Sequence, residues 1–520
     1  MNIHFIRLPL LLALLFVVTL SMAQQPHIIL IMTDQQRGDA VGYAGNSSII
    51  TPNLDQLAGD GVYFTNAYSS TPSCTPARAA LLTGMSPWGH GMLGYGRVAR
   101  KYPNEMPAML REAGYYTYGI GKFHWFPQKA LHGFHGTLVD ESGRIESEGF
   151  ISDYRDWFKR VAPGKDPDAT GILWNEHNPR VYQLEERLHP DHWKGEMAVD
   201  FIDSYDLEAP LFLKVSFSRP HSPYDPPQRF LDLYEIVDVP VPFTGDWSEK
   251  FRDYPNEREA AFGDFGVDHA LESRKHYYAL ITFLDEQIGK VVEALKRKGV
   301  YENSLILFVS DHGDMLGDHH HWRKSYAYEG SSKVPMLIKP PHDFETGLGK
   351  EAFLTHPVEI RDILPTFLDA AKIPKPTAME GESLIALMRD PQNAPWREYI
   401  DLEHATTYQA ENYWCALTDG KEKYIWFFRT GEEQLFDLSE DPGESRNLAS
   451  EEKHLEKLES WRDRMAQHLL PRGEEFVKQG ELVVRDENLL YGPNYPQKEW
   501  SQKEALDAWK EEVVSSFIHP

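Results

Sequence analysis

Two cysteines occur in 520 residues, and one of them, Cys74, stands in the stretch SSTPSCTPARAALLTG. Small polar residues and the prolines at 72 and 76 surround it, which is turn chemistry and not core filling. PARAALL reads as a helix with Pro76 at its first position and Gly84 just past its end. Cys74 is thereby placed at a helix N-terminus, where free N–H groups and the dipole favour negative charge. Arg78 follows one turn later on the same face. Such a group is suited to meet an anion. Elsewhere, Asp34 with Gln35 and Asp311 with His312 offer oxygen donors and one imidazole, a set that suits a hard divalent cation such as Ca²⁺ or Mg²⁺. Lys122, His124, His221 and Lys324 add cationic and acid–base side chains. The run His319, His320, His321 invites a zinc reading, but adjacent residues of a regular element cannot all face one metal.

These residues share a position in the chain's pattern. HIILIMTD is a short apolar run of the kind buried in a parallel sheet, and it ends at Asp34. A strand in YYTYGIGKFHW ends at Lys122 and His124, with Gly121 able to break it. PLFLKVSFSRPHSPYDPP runs into a Pro-rich loop holding His221, and NSLILFVSDHGD ends at Asp311 and His312. Helices alternate with these strands: TPNLDQLAGDG, with Thr51 as N-cap and Gly61 as stop, and a long one from about His269 to Lys298. The expected fold class is therefore α/β, a mostly parallel central sheet sandwiched by helices, with ligands bound beyond the carboxyl ends of its strands. After a break near residues 389–395, YIDLEH, YWCALTDG, KYIWFF and EQLFDL predict a small antiparallel sheet, followed by a charged helix from about Ser450. The expected division is 1–23 as signal peptide, 24–390 as catalytic domain and 391–520 as a C-terminal subdomain with a polar tail.

CTPAR followed by AALLTG resembles the signature of the type I sulfatases, C-x-P-x-R-x-x-x-x-T-G, in the alkaline phosphatase superfamily. The resemblance continues through MTDQQRGD, GIGKFHW, RPHSPYDPP, SDHGDMLGDH and WRKSYAYEG to LFDLSEDPGESRNLA. It implies that a maturation enzyme oxidises Cys74 to formylglycine. The hydrated aldehyde would attack sulfur, expel the alcohol, and release sulfate when its second hydroxyl is deprotonated. It further implies that Asp34, Gln35, Asp311, His312 and residue 74 hold Ca²⁺, ahead of Mg²⁺ or Mn²⁺. Arg78 would steady the formylglycine hydroxyl, and Lys122 and Lys324 would clamp sulfate oxygens. His124 would take a proton and His221 would protonate the leaving alcohol. The sequence departs from the commonest pattern at Gln35, often Asp, at Arg323, often Gly, and at His320, where small residues are usual.

Composition bounds the partners. The chain is 41% hydrophobic and 25% charged with a net charge of −26, which argues against a nucleic-acid binder and requires any positive field to be local. Arg7, the apolar run from Leu8 to Leu20 and SMA before Gln24 read as a secretory signal cleaved after Ala23, too short to span a bilayer. The mature protein is expected to be exported, periplasmic or secreted, without a membrane span. A Cys74–Cys415 disulfide is the alternative use of the two thiols in that setting. Sulfated glycans are the expected substrates, with Trp88, Trp125 and Trp322 as candidates to stack on sugar rings. A phosphonate monoester or phosphodiester hydrolase, and a catalytically silent glycan-binding protein, are the alternatives.

Overall fold

The computed structural model describes residues 25–147, 149–253, 257–349 and 351–497; the expected signal peptide lies outside them. Eight strands form the central sheet: β1 (His27–Asp34), β2 (Val62–Phe64), β3 (Tyr116–Gly121), β4 (Gly136–Val139), β5 (Leu211–Pro220), β6 (Ser304–Ser310), β7 (Met336–Lys339) and β8 (Ala352–Leu354). Their order is β4-β3-β5-β1-β6-β7-β2-β8. Only β7 runs antiparallel to its neighbours. The strands with candidate residues at their ends, β3, β5, β1 and β6, are contiguous and mutually parallel. Their carboxyl ends therefore open on one edge, as expected for a ligand-binding α/β sheet.

β1 is buried along its whole length, so its alternate residues supply two cores. Ile28, Leu30 and Met32 face α2 (Cys74–Thr83) and α5 (Ile363–Ala370). Ile29 and Ile31 face α3 (Pro190–Ser204) and α4 (Val267–Arg297). In the first helix, α1 (Pro52–Gly59), Thr51 stands at the N-cap position as expected, but its side chain makes no cap hydrogen bond. Its hydroxyl accepts from Gly42 N at 2.8 Å instead. The cap comes from α4, where the Asp285 carboxylate accepts from Asn53 N at 3.0 Å and Leu54 N at 2.8 Å.

The second sheet, β9 (Ile400–His404), β10 (Trp414–Thr418), β11 (Glu422–Phe427) and β12 (Glu433–Asp437), is antiparallel in chain order. One face packs on α6 (Leu455–Leu469) through Leu458, Trp461 and Met465. The other, through Leu402, Trp414 and Phe436, packs on Tyr68, Met315, Tyr326 and Tyr328 of the larger unit. The tail beyond Pro471 also has a structural role. Leu93 N donates to Leu490 O at 2.9 Å and Gly492 N to Gly91 O at 2.8 Å, so the tail straps the segment after α2. No described helix is long and apolar enough to cross a membrane.

Candidate active site

The helix holding Cys74 starts two residues earlier than expected. Cys74 is its first residue and Pro76 its third, which costs nothing because the first four N–H groups of a helix lack intrahelical partners. Ser73 is the N-cap residue but does not cap with its side chain. Its hydroxyl donates to His404 Nε2 at 2.8 Å, because His404 Nδ1 is used on the Ala405 carbonyl. The other expected boundary holds: Gly84 ends the helix with φ of 67°.

All ten candidate residues are buried. Cys74 Sγ lies 3.0 Å from Lys324 Nζ, 3.2 Å from His312 Nε2 and 3.9 Å from Asp34 Oδ1. Burial and Asp34 push its thiol up, but Lys324, Lys122 and His312 outweigh them and bring it down to about 7. No disulfide forms: both thiols are free, and Cys415 is buried in β10 where desolvation pushes its thiol up. Arg78 works as a fork. Nε donates to Asp311 Oδ2 at 2.9 Å, Nη2 to Asp34 Oδ2 at 3.0 Å, and Nη1 to Lys122 O at 2.6 Å and Ser216 Oγ at 3.1 Å. It thus ties together the ends of β1, β3, β5 and β6.

Lys122 Nζ pairs with Asp34 Oδ2 at 2.6 Å. Gly121 ends β3 just before Lys122: its φ is 110° and an added Cβ would lie 1.9 Å from Ser216 O. His124 follows with φ of 57°. Both its ring nitrogens are buried without hydrogen-bond partners, and burial, Lys122 and Arg144 hold it neutral, well below the usual imidazole range. His221 donates from Nδ1 to Ser222 O at 2.9 Å, which leaves Nε2 to accept from Lys324 Nζ at 2.9 Å. Burial and the Lys324 charge keep this ring neutral as well. His312 likewise commits Nδ1 to the Gly313 carbonyl at 2.9 Å and turns Nε2 inward. Burial opposes its protonation, but Asp311 and Cys74 together outweigh it and raise its affinity for a proton.

Asp34, Cys74, Asp311 and His312 bring ligand atoms within 4.8 Å of one another. Gln35 completes the test of whether the set fits a divalent cation. Its Nε2 donates to Asp314 Oδ2 at 2.6 Å, while its Oε1 is buried without a partner. A buried acceptor left over beside two carboxylates is what a cation ligand looks like before the cation is counted. The histidine run is not a ligand set. His319 Nδ1 accepts from Gly245 N at 3.2 Å, His321 Nδ1 bonds the His319 carbonyl at 2.6 Å, and both rings pack among aromatics.

Several residues that the sequence reading passed over organise this centre. Asp314, three residues after Asp311, also accepts from Tyr224 OH at 2.5 Å and from the backbone N–H of Arg323 at 2.9 Å. Glu141 accepts from Phe123 N and His124 N, each at 3.0 Å, and so holds the bend after β3. The departures at His320 and Arg323 have φ of 60° and 68°, the left-handed region where glycine is unstrained. A cleft of about 820 Å³ leads to Lys324, lined by Tyr95, Arg144, Trp174, Arg323 and Tyr408 among others. None of the three expected stacking tryptophans lines it. Trp125 and Trp322 are buried, the latter stacked on His177 at 4.5 Å, and Trp88 packs on Phe476. Trp174 is the indole that faces the opening.

A mostly parallel sheet of the alkaline phosphatase-like fold thus gathers, at its strand ends, two carboxylates, an imidazole and a thiol around one point, facing three cations. The chain belongs to the sulfatase family, whose family model "Sulfatase" matches residues 26–373; a second, "N-sulphoglucosamine sulphohydrolase, C-terminal", matches residues 317–470. It is 39% identical over 477 residues to an arylsulfatase of Clostridium perfringens, covering 88% of this chain and 97% of that one. It is an enzyme that hydrolyses sulfate esters. Solved structures share the fold, among them these two. A phosphonate monoester hydrolase from Silicibacter pomeroyi has a TM-score of 0.71 at 24% identity, covering 86% of this chain and 96% of that one. A protein in complex with its substrate D-glucosamine-2-N,6-O-disulfate has a TM-score of 0.68 at 21% identity, covering 86% and 98%.

Proposed function

We propose that this enzyme removes O-sulfate groups from sulfated carbohydrates outside the cytoplasm, after a maturation enzyme has converted Cys74 to formylglycine. The observation that carries the reading is the convergence of Lys324, His312 and Asp34 on the Cys74 side chain at a helix N-terminus. The sulfated sugar named as substrate of one structural neighbour supports the substrate class. The apolar run at Leu8 to Leu20 supports export.

Asp34, Gln35, Asp311, His312 and residue 74 would hold the divalent cation, and their mainly oxygen donors suit Ca²⁺. Bound there, it would supply Lewis-acid charge that makes an oxygen ligand more acidic. The aldehyde hydrate at residue 74 would supply the oxygen nucleophile, with a second hydroxyl for product release. The remaining work belongs to residues in place. Lys122 and Lys324 are point charges for sulfate oxygens. Arg78 fixes the carboxylates and the bend after β3 in one frame. The Lys324–His221 hydrogen bond, 2.9 Å between Nζ and Nε2, sets a proton donor against a neutral imidazole, a relay toward a leaving alcohol. His124, neutral and without a hydrogen-bond partner among the described residues, is placed to accept a proton.

Mapping of the peptide containing residues 69–78 should show a mass loss of about 18 Da at Cys74, thiol to aldehyde. The same preparation should release sulfate from saccharide sulfates faster than it cleaves a phosphonate monoester, and metal analysis should find calcium. Fully active protein that retains sulfur at residue 74 would refute the reading. Preference for the phosphonate ester would favour the hydrolase activity of the other structural neighbour.

A further inference from the structure

Sulfate chemistry accounts for Lys122, Lys324 and Arg78 but leaves two buried guanidinium groups unexplained. Arg144 is 6% exposed and Arg323 8%, and both line the cleft beside Lys324. Other buried arginines near the site, Arg37, Arg78, Arg219 and Arg274, each meet a carboxylate. Arg144 and Arg323 meet none within ion-pair distance among the described residues. The Arg144 guanidinium lies 5.1 Å from the Trp174 ring, and its Nη1 is buried without an acceptor. The Arg323 guanidinium lies 4.4 Å from the Tyr408 ring, and its Nε is buried without an acceptor. Burying an unpaired guanidinium is unfavourable unless something supplies the counter-charge.

No carboxylate of the cleft pairs directly with Arg144 among the described residues, although burial is outweighed by Tyr95, Cys74, Asp34 and Glu146, which favour its charge through space. Asp140, Asp168 and Asp225 are taken by Lys194, Arg155 and Arg219. Glu146 lies 3.6 Å from His124 Nε2. Glu259 feels Arg323 but remains, through burial, a weakened acid. Alongside burial, the Arg144 charge holds down His124 and His221, so this guanidinium sits close to the reacting centre. Arg323 points to function from a second direction. Its backbone φ of 68° suits glycine, yet the chain keeps a long cationic side chain there, directly before Lys324.

We infer that Arg144 and Arg323 form a second anion subsite, and that the preferred substrates carry a further negative group, a carboxylate or a second sulfate, near the sulfate that is cleaved. The inference rests on the sulfatase reading above. Two guanidinium groups lining one cleft, each set against an aromatic ring, suit a planar or tetrahedral oxyanion.

The test uses the mature enzyme and three probe sets: hexose monosulfates, hexose disulfates and hexuronate monosulfates, each set covering the ring positions. The wild-type enzyme should favour the doubly charged probes in kcat/KM, mainly through KM, by a factor on the order of tenfold to a hundredfold. The disulfate and uronate arms report which second group is preferred. Arg144→Gln should collapse that ratio. Arg323→Gly should reduce it without lowering the Tm, since glycine accepts the backbone angle. A wild-type ratio near one, or equal losses on singly and doubly charged probes in Arg144→Gln, would overturn the subsite. Release of sulfate from no probe by protein with formylglycine at residue 74 would overturn the sulfatase reading itself.

Discussion

Asp314 touches no reacting atom, yet it decides what Gln35 can offer. By taking Gln35 Nε2 at 2.6 Å it turns the amide so that Oε1 is the free atom. A glutamine in place of a second aspartate removes a negative charge from a cation site, so the orientation of its one useful oxygen matters more. Asp314→Asn should let the amide rotate and weaken cation retention by about 10–100-fold. Titration of the cation-depleted enzyme with Ca²⁺ measures this, and an unchanged affinity would exclude the orienting role. His221 and His124 show the same dependence on neighbours. Each is a common residue in sequence, made neutral here by burial beside lysine or arginine.

At the scale of elements, the end of β3 and the loop after β6 carry the site. Gly121 lets β3 stop against β5 so that Lys122 and His124 turn inward. Gly121→Ala would drive a Cβ to within 1.9 Å of Ser216 O at a φ of 110°. A loss of about 2 kcal/mol or more is expected from the left-handed strain and the forced backbone shift, with a fall in kcat as Lys122 moves. Denaturant melts and kinetics on the same preparation check both. The loop after β6 is held by Asp318, which pairs with Arg37 and with Arg274 at 2.6 and 2.5 Å. Burial raises the Asp318 carboxyl, but Arg37 and Arg274 outweigh it and bring it down to about 2. A depressed acid stabilises the fold above its unfolded pKa, near 4, and that contribution is lost as pH falls toward 2. It amounts to roughly 2 kcal/mol. Stability measured across that window should fall in the wild type, and Asp318→Asn should be less stable at neutral pH with a shallower acid limb. An identical acid limb in the variant would refute the assignment.

At the scale of the whole molecule, the second sheet is part of the site's support. Glu403 N donates to Ser70 O at 2.8 Å, and His404 accepts from Ser73 beside Cys74. Trp414 Nε1 and Asn412 Nδ2 both donate to Ser325 O at 3.1 Å, next to Lys324. The two arms are further joined by Ser325 N donating to Pro72 O at 2.9 Å. A chain ending at residue 390 should therefore be insoluble or inactive, because the apolar face formed by Tyr68, Met315, Tyr326 and Tyr328 loses its cover. A soluble, active 24–390 fragment would show that the sheet is dispensable. The net charge of −26 is consistent with this local design. Three buried cationic side chains outnumber the two carboxylates at the centre, so attraction for a sulfate is short-ranged within a molecule that repels it at distance.

Strand ends and their residues were legible in sequence because a buried parallel strand is a continuous apolar run, and its last polar residue marks where the run leaves the core. That pattern, with the spacing from Cys74 to Gly84, already contained the four central strands of the sheet, the family resemblance and the ten residues of the centre. What it could not contain depends on side chains far apart in the chain. The side chain that caps α1 is Asp285 although Thr51 holds the N-cap position, the cleft indole is Trp174 instead of Trp88, Trp125 or Trp322, and Asp314 and Glu141 orient groups outside their own segments. Local periodicity records which face of an element is buried. Which polar atom meets which is set by packing distances of a few ångströms, and those exist only once the chain has folded.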